Sequence, residues 1–233
     1  MSVSARSRRK EGLTVAFMGL DGTGKSTQAE LLQGSSWTRQ LRPQRIHHAS
    51  TTVPGLRALK LRYHAAAIRL LKSRRVHVEI EDRPESRSGG GTSLGSAIST
   101  YFLVGSYVKS VWYRRRYGKR LLILDRCFLD DVVKVRWRFG VKSELVGKLM
   151  RRAPKPDLVL VFESDPAVGY ERKKSKNSTY EEYLQKGKVL DSTLSEAAEY
   201  GWEIRRVDID GRNAEEVHEV VSAILQDLMS LER

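Results

Sequence analysis

The chain has 233 residues, 40% hydrophobic and 30% charged, an ordinary globular balance with length for one sizeable core. No apolar run approaches the ~20 residues of a bilayer span, and no apolar stretch follows the basic N-terminus as in a signal peptide. The single cysteine, Cys127, excludes an internal disulfide and fits a cytoplasmic setting, while the net charge of +14 suits a polyanionic partner, whether small substrate, nucleic acid or membrane face.

Residues 1–12 read as a disordered basic arm and 13–233 as a single domain. Leu13 to Met18 is an apolar, β-prone run, the first strand. It empties into GLDGTGKST, where three glycines lie within six residues. The spacing Gly19-x-x-x-x-Gly24-Lys25-Ser26 is the P-loop pattern. Glycines let consecutive N–H groups converge on one anion, and the following helix adds its positive N-terminal end. Gly19, Asp21, Gly22, Thr23, Gly24, Lys25, Ser26 and Thr27 are therefore expected to hold the phosphates of ATP. Lys25 supplies a mobile point charge, and Ser26 a hydroxyl for Mg²⁺.

Arg45 to His48 is a short candidate second strand. Residues 56–73 carry apolar side chains at helical spacing. Residues 82–93, with one proline and three consecutive glycines, form a flexible loop within the domain. A long helix from Leu94 to Tyr117 follows, with Tyr101, Phe102, Tyr107, Trp112 and Tyr113 on it. LLILD, residues 121–125, is an unalternating aliphatic run, which indicates a parallel strand buried on both faces. Helices are expected near 128–138 and 143–152, a buried strand over 158–162, and helices near 165–174 and 179–200. A last strand at 203–209 leads to a closing helix at 214–231. Alternation of strand and helix throughout predicts an α/β fold, three layers with a parallel sheet between helices. Ligands then gather beyond the carboxyl ends of the strands, where both the glycine loop and Asp125 fall.

Asp125 is placed either to complete a Mg²⁺ site or to cap the helix that follows. Arg126 is placed either to clamp a phosphate or to pair with Asp125 or Asp130. The basic stretch over about 170–180 has the composition of a lid, in which Arg172 would stabilise charge during phosphoryl transfer. Tyr101, Phe102 and Tyr107 offer rings for a base to stack on, or pack as the inner face of their helix.

Taken together, GLDGTGKST, LLILDRCF and PDLVLVFESDPAVGYERKK resemble the motifs of the P-loop nucleoside monophosphate kinases, the thymidylate kinases most closely. The resemblance runs over most of 13–230. It implies a P-loop NTPase-type three-layer α/β/α fold with a central five-stranded parallel sheet, and often a homodimer. It also implies Mg²⁺-dependent transfer of the γ-phosphate of ATP to a nucleoside monophosphate, with dTMP giving dTDP. By motif match Lys25 would hold phosphate, and Ser26 phosphate and metal. Asp21 would face the acceptor's sugar, Arg126 its phosphate, and Arg172 would be the lid arginine. Two features depart from the pattern. HHASTTVPGLRALK lacks the family's arginine before the Pro-Gly, and the helix from Leu94 has no arginine until Arg114. The donor half is thus intact and the acceptor half altered. That keeps two other readings open: a P-loop kinase with a different acceptor, such as a nucleoside, a sugar-like metabolite or a polynucleotide end, and a non-catalytic nucleotide binder that holds nucleic acid. No zinc spacing, RNA-binding aromatic signature or helix-turn-helix pattern accompanies the charge.

Overall fold

The computed structural model describes residues 12–48, 93–140, 144–173 and 179–231. The expected helix at 56–73, most of the 82–93 loop, nearly all of the basic arm and residues 174–178 of the lid lie outside the described residues.

Strands β1 (Thr14–Met18), β2 (Gln44–His47), β3 (Leu122–Asp125), β4 (Leu158–Glu163) and β5 (Ile204–Asp208) form one sheet in the order β2-β3-β1-β4-β5. Every pairing is parallel. The helices are α1 (Lys25–Gly34), α2 (Ser93–Tyr117), α3 (Phe128–Phe139), α4 (Glu144–Arg152), α5 (Pro166–Arg172), α6 (Tyr180–Glu199) and α7 (Ala214–Leu231).

The pleat explains why β1, β3 and β4 read as continuous apolar runs. Successive side chains face opposite sides of the sheet, and here both sides are covered. Val15, Phe17, Ile123, Leu158, Leu160 and Phe162 point into one core with Ala29 and Leu32 of α1 and Val217, Val221 and Leu225 of α7. Ala16, Met18, Leu122, Leu124, Val159 and Val161 point into the other. There they meet Leu103 and Tyr113 of α2, Leu129, Val132 and Val133 of α3, Met150 of α4 and Leu190 and Leu194 of α6. The result is the expected three-layer arrangement.

The edge strand β5 alternates more, with Arg206 exposed and Val207 buried. β2 is the weakest strand in sequence. Its register on β3, Arg45 beside Ile123 and His47 beside Asp125, is what aims it at the glycine loop. Tyr107 packs against the second core, whereas Phe102 is 40% exposed.

Candidate active site

The loop between β1 and α1 bends through three glycines with positive φ: Gly19 at 136°, Gly22 at 96° and Gly24 at 73°. At Gly19 a Cβ would sit 2.5 Å from the Phe162 carbonyl oxygen, and at Gly22 it would sit 2.2 Å from that of Gly169. Side chains are excluded there by backbone on the neighbouring β4 and α5. At its other end the loop delivers Gly24 as the N-cap of α1, with no side chain bonded to the first-turn amides and no acid in the first turn. The contrast within the molecule is direct. Asp165 caps α5 by accepting from Ala167 N and Val168 N, and Thr179 with Glu182 forms a capping box on α6. The α1 amides have no side chain to satisfy them, so this end is built for an external anion.

Lys25 is 5% exposed. Its ammonium donates to the Leu20 carbonyl, and to Thr23 Oγ1 at 3.2 Å. Thr23 Oγ1 itself donates to Leu20 O at 2.9 Å, so lysine and threonine share one acceptor of the loop. Burial, reinforced by the nearby Arg126 charge, lowers the Lys25 ammonium to about 8.

Ser26 Oγ donates to Asp125 Oδ2 at 2.8 Å, and Arg45 Nη2 donates to the same oxygen at 3.1 Å. Asp125 is fully buried, and its other oxygen, Oδ1, has no hydrogen-bond partner among the described residues. A buried carboxylate oxygen without a partner carries a large desolvation penalty, which a cation would relieve. A hard divalent ion takes oxygen ligands such as these and keeps several waters. The residues present therefore fit Mg²⁺, with Ser26 and Asp125 as its holders. The N-cap of α3 is Cys127, two residues on, so Asp125 is not a helix cap.

Arg126 adopts φ 74°, a left-handed conformation that non-glycine residues rarely hold. Its amide donates to Phe17 O, and its guanidinium turns into the cleft rather than toward Asp125. Nη2 donates to Asp21 Oδ1 at 2.6 Å, and Nη1 lies 3.1 Å from Asp130 Oδ1. Lys186 Nζ holds the other Asp21 oxygen at 3.0 Å, and Tyr183 Oη donates to the Asp21 carbonyl at 3.0 Å. Burial alone would raise the Asp21 carboxyl. Lys186 and Arg126 outweigh it and hold the group well below the usual carboxylate range.

An open cleft of about 320 Å³ adjoins these groups, walled by α3 and α6 and reached by His47 from β2. Lys134 lines it, paired with Asp130 at 2.7 Å and Asp131 at 3.1 Å. Trp137 and Arg138 complete the wall. Tyr101 and Phe102, whose ring centroids lie 6.0 Å apart on α2, are not among its lining residues.

No family model matches the chain. It is 23% identical over 221 residues to a probable thymidylate kinase from Methanocaldococcus jannaschii, covering 94% of this chain and 98% of that one. Its fold superposes on thymidylate kinase from Candida albicans with a TM-score of 0.59 at 18% identity, over 93% of this chain and 92% of the other. The chain is thymidylate-kinase-like, with the fold of the P-loop nucleoside monophosphate kinases. A shorter stretch, 98 residues or 41% of the chain, is 38% identical to a putative adenylate kinase from Archaeoglobus fulgidus, and spans about half of that relative, 54%.

In this thymidylate-kinase-like chain the fold brings Lys25, Ser26, Asp125, Arg126 and Asp21 to one edge of the sheet. Arg172 is exposed on the last turn of α5, while its neighbour Lys173 turns inward, its ammonium 4.2 Å from the Tyr170 ring centroid. Thr27 is exposed on the first turn of α1. Cys127 is buried beside the site, and burial pushes its thiol up to about 12, which suits packing and not reaction. Arg45, Lys134, Trp137, Tyr183 and Lys186 were not singled out from the sequence. The only local signal for Lys186 was its place one turn beyond the capping box of α6, and for Arg45 its place in a weak strand.

Proposed function

We propose that the chain is an ATP- and Mg²⁺-dependent nucleotide kinase that transfers the γ-phosphoryl group to a nucleoside monophosphate, dTMP being the first candidate. The observation that carries this reading is the Ser26–Asp125 hydrogen bond, with its unpartnered second oxygen, beside the uncapped amides of α1. The name of the archaeal relative that matches nearly end to end supports the choice of dTMP.

The amides of the glycine loop and of the first turn of α1 bind the phosphate chain of ATP. Lys25 gives up the Leu20 carbonyl and turns its ammonium to the β- and γ-phosphates. Bound Mg²⁺, held by Ser26 and Asp125, would neutralise charge on the transferring phosphoryl group. Arg126 orients the acceptor's phosphate at the same edge of the sheet, and the cleft between α3 and α6 takes the rest of the acceptor. Positioning and charge neutralisation account for the catalysis, since phosphoryl transfer asks little covalent chemistry of the protein.

The test is ADP release from ATP and Mg²⁺ with a panel of nucleoside monophosphates. Turnover with at least one of them, abolished by Lys25→Ala, is the expected result. No turnover with any monophosphate by folded, ATP-binding protein overturns the reading.

A further inference from the structure

Asp21 joins two cations that come from separate elements of the fold. Its carboxylate accepts from Arg126 Nη2 at 2.6 Å, at the carboxyl end of β3, and from Lys186 Nζ at 3.0 Å, on the second turn of α6. Both cations are partly exposed, and both line the cleft between α3 and α6. Asp130 already neutralises part of Arg126 through Nη1, at 3.1 Å. An acceptor phosphate that met Arg126 alone would face a guanidinium half committed elsewhere. A phosphate monoester carries more charge and more acceptor oxygens than the carboxylate that now bridges the pair, so it competes well for both cations. Beside them stands Trp137 of α3, part of the cleft wall, with Lys186 Nζ 6.0 Å from its ring centroid. An ammonium and a guanidinium next to a flat apolar face match the two halves of a nucleotide: an anionic phosphate and a stackable base.

We propose that Lys186 and Trp137 recognise the acceptor, Lys186 receiving its phosphate together with Arg126 and Trp137 stacking on its base, with Asp21 holding the two cations in register beforehand. This rests on the kinase reading above and relocates base recognition from the aromatics of α2 to α3 and α6. It also supplies the acceptor side with a cation in place of the arginine that is absent from α2 before Arg114. The neighbouring anions do not cancel it. Asp130 and Asp131 are both engaged by Lys134, at 2.7 and 3.1 Å, which leaves Lys186 to Asp21 and the ligand. The packing around it is firm. Tyr183 donates to the Asp21 carbonyl, so α6 is fastened directly to the glycine loop.

Calorimetry would compare the monophosphate that supports turnover, beginning with dTMP, with its unphosphorylated nucleoside, and MgATP as a reference. Lys186→Ala is expected to weaken monophosphate binding about ten- to a hundredfold, the loss of one charge-assisted contact, while nucleoside and MgATP binding stay unchanged. Lys186→Arg restores most of the loss. Trp137→Leu is expected to weaken monophosphate and nucleoside alike by about tenfold or more, the loss of one stacking contact. A purely structural lysine would lower nucleoside and monophosphate binding together, and that result, or no effect on either, overturns the assignment of Lys186. Undiminished binding to Trp137→Leu overturns the assignment of Trp137. If the wild-type chain binds MgATP yet turns over no monophosphate, the kinase reading itself has failed, and the assignment falls with it.

Discussion

Ser26 and Asp125, 99 residues apart in the chain, meet at 2.8 Å because β1 and β3 are parallel neighbours whose carboxyl ends lie side by side. A hydroxyl from the first turn of α1 and a carboxylate from the end of β3 thus come into direct contact at the proposed metal site. Removing the charge while keeping the shape, by Asp125→Asn, should lower kcat with MgATP by about a hundredfold or more. Metal affinity, followed by Mn²⁺ titration of the ATP complex, should fall in parallel. Unchanged metal dependence in this variant would remove Asp125 from the metal site.

Lys25 gives the donor site a pH dependence whose sign can be worked out. In the free protein burial lowers its ammonium to about 8. A bound triphosphate favours the charged form, so the complex holds its proton to higher pH than the free protein does. ATP affinity should therefore be flat below pH 8 and decline above it, by up to about tenfold per pH unit. Calorimetry in buffers of different protonation enthalpy should detect proton uptake on binding only in the alkaline range. Lys25→Met should bind weakly with no such uptake. Affinity that stays level through about pH 9.5 would be incompatible with a lowered Lys25.

Gly22 and Gly24 separate two reasons for a glycine. Both have positive φ, 96° and 73°. At Gly22 a Cβ would lie 2.2 Å from Gly169 O and 3.2 Å from Lys173 N, backbone atoms that cannot swing aside. At Gly24 nothing lies within 4 Å. Gly24→Ala should cost about 1 kcal/mol from backbone strain alone. Gly22→Ala should cost about 2 kcal/mol or more and also displace the loop, weakening ATP. Urea denaturation of the two variants tests the order, and equal losses would count against the contact with α5.

Arg126 holds a left-handed backbone although it is not glycine. Strain of this kind, of roughly 1–3 kcal/mol, collects at functional positions. Arg126→Gly and Arg126→Ala both lose the guanidinium and leave Asp21 and Asp130 without that partner, so both should be inactive. The glycine variant should nevertheless be the more stable by about 1 kcal/mol, because it alone relieves the backbone. Equal melting free energies would show that the conformation stores no strain.

The strands of the central sheet were legible because a parallel strand covered on both sides must be apolar at every position, and Leu121 to Leu124 and Leu158 to Phe162 are. The phosphate loop was legible because its chemistry is local: glycine conformations, a helix start and a lysine follow one another within eight residues. Asp125 and Arg126 were legible as candidates, but their alternatives were not separable, since capping Asp and ion-pairing Arg have the same composition as catalytic ones.

Local patterns along the chain determined the elements, their alternation and the donor loop, because backbone conformation and burial on a sheet are read within a few residues. Which side chains share the site was decided by topology. Arg45 reaches Asp125 only because β2 lies beside β3, and Lys186 reaches Asp21 only because α6 packs against the glycine loop. Those meetings span 80 and 165 residues of chain, and no spacing in a linear sequence records a distance that the order of strands creates.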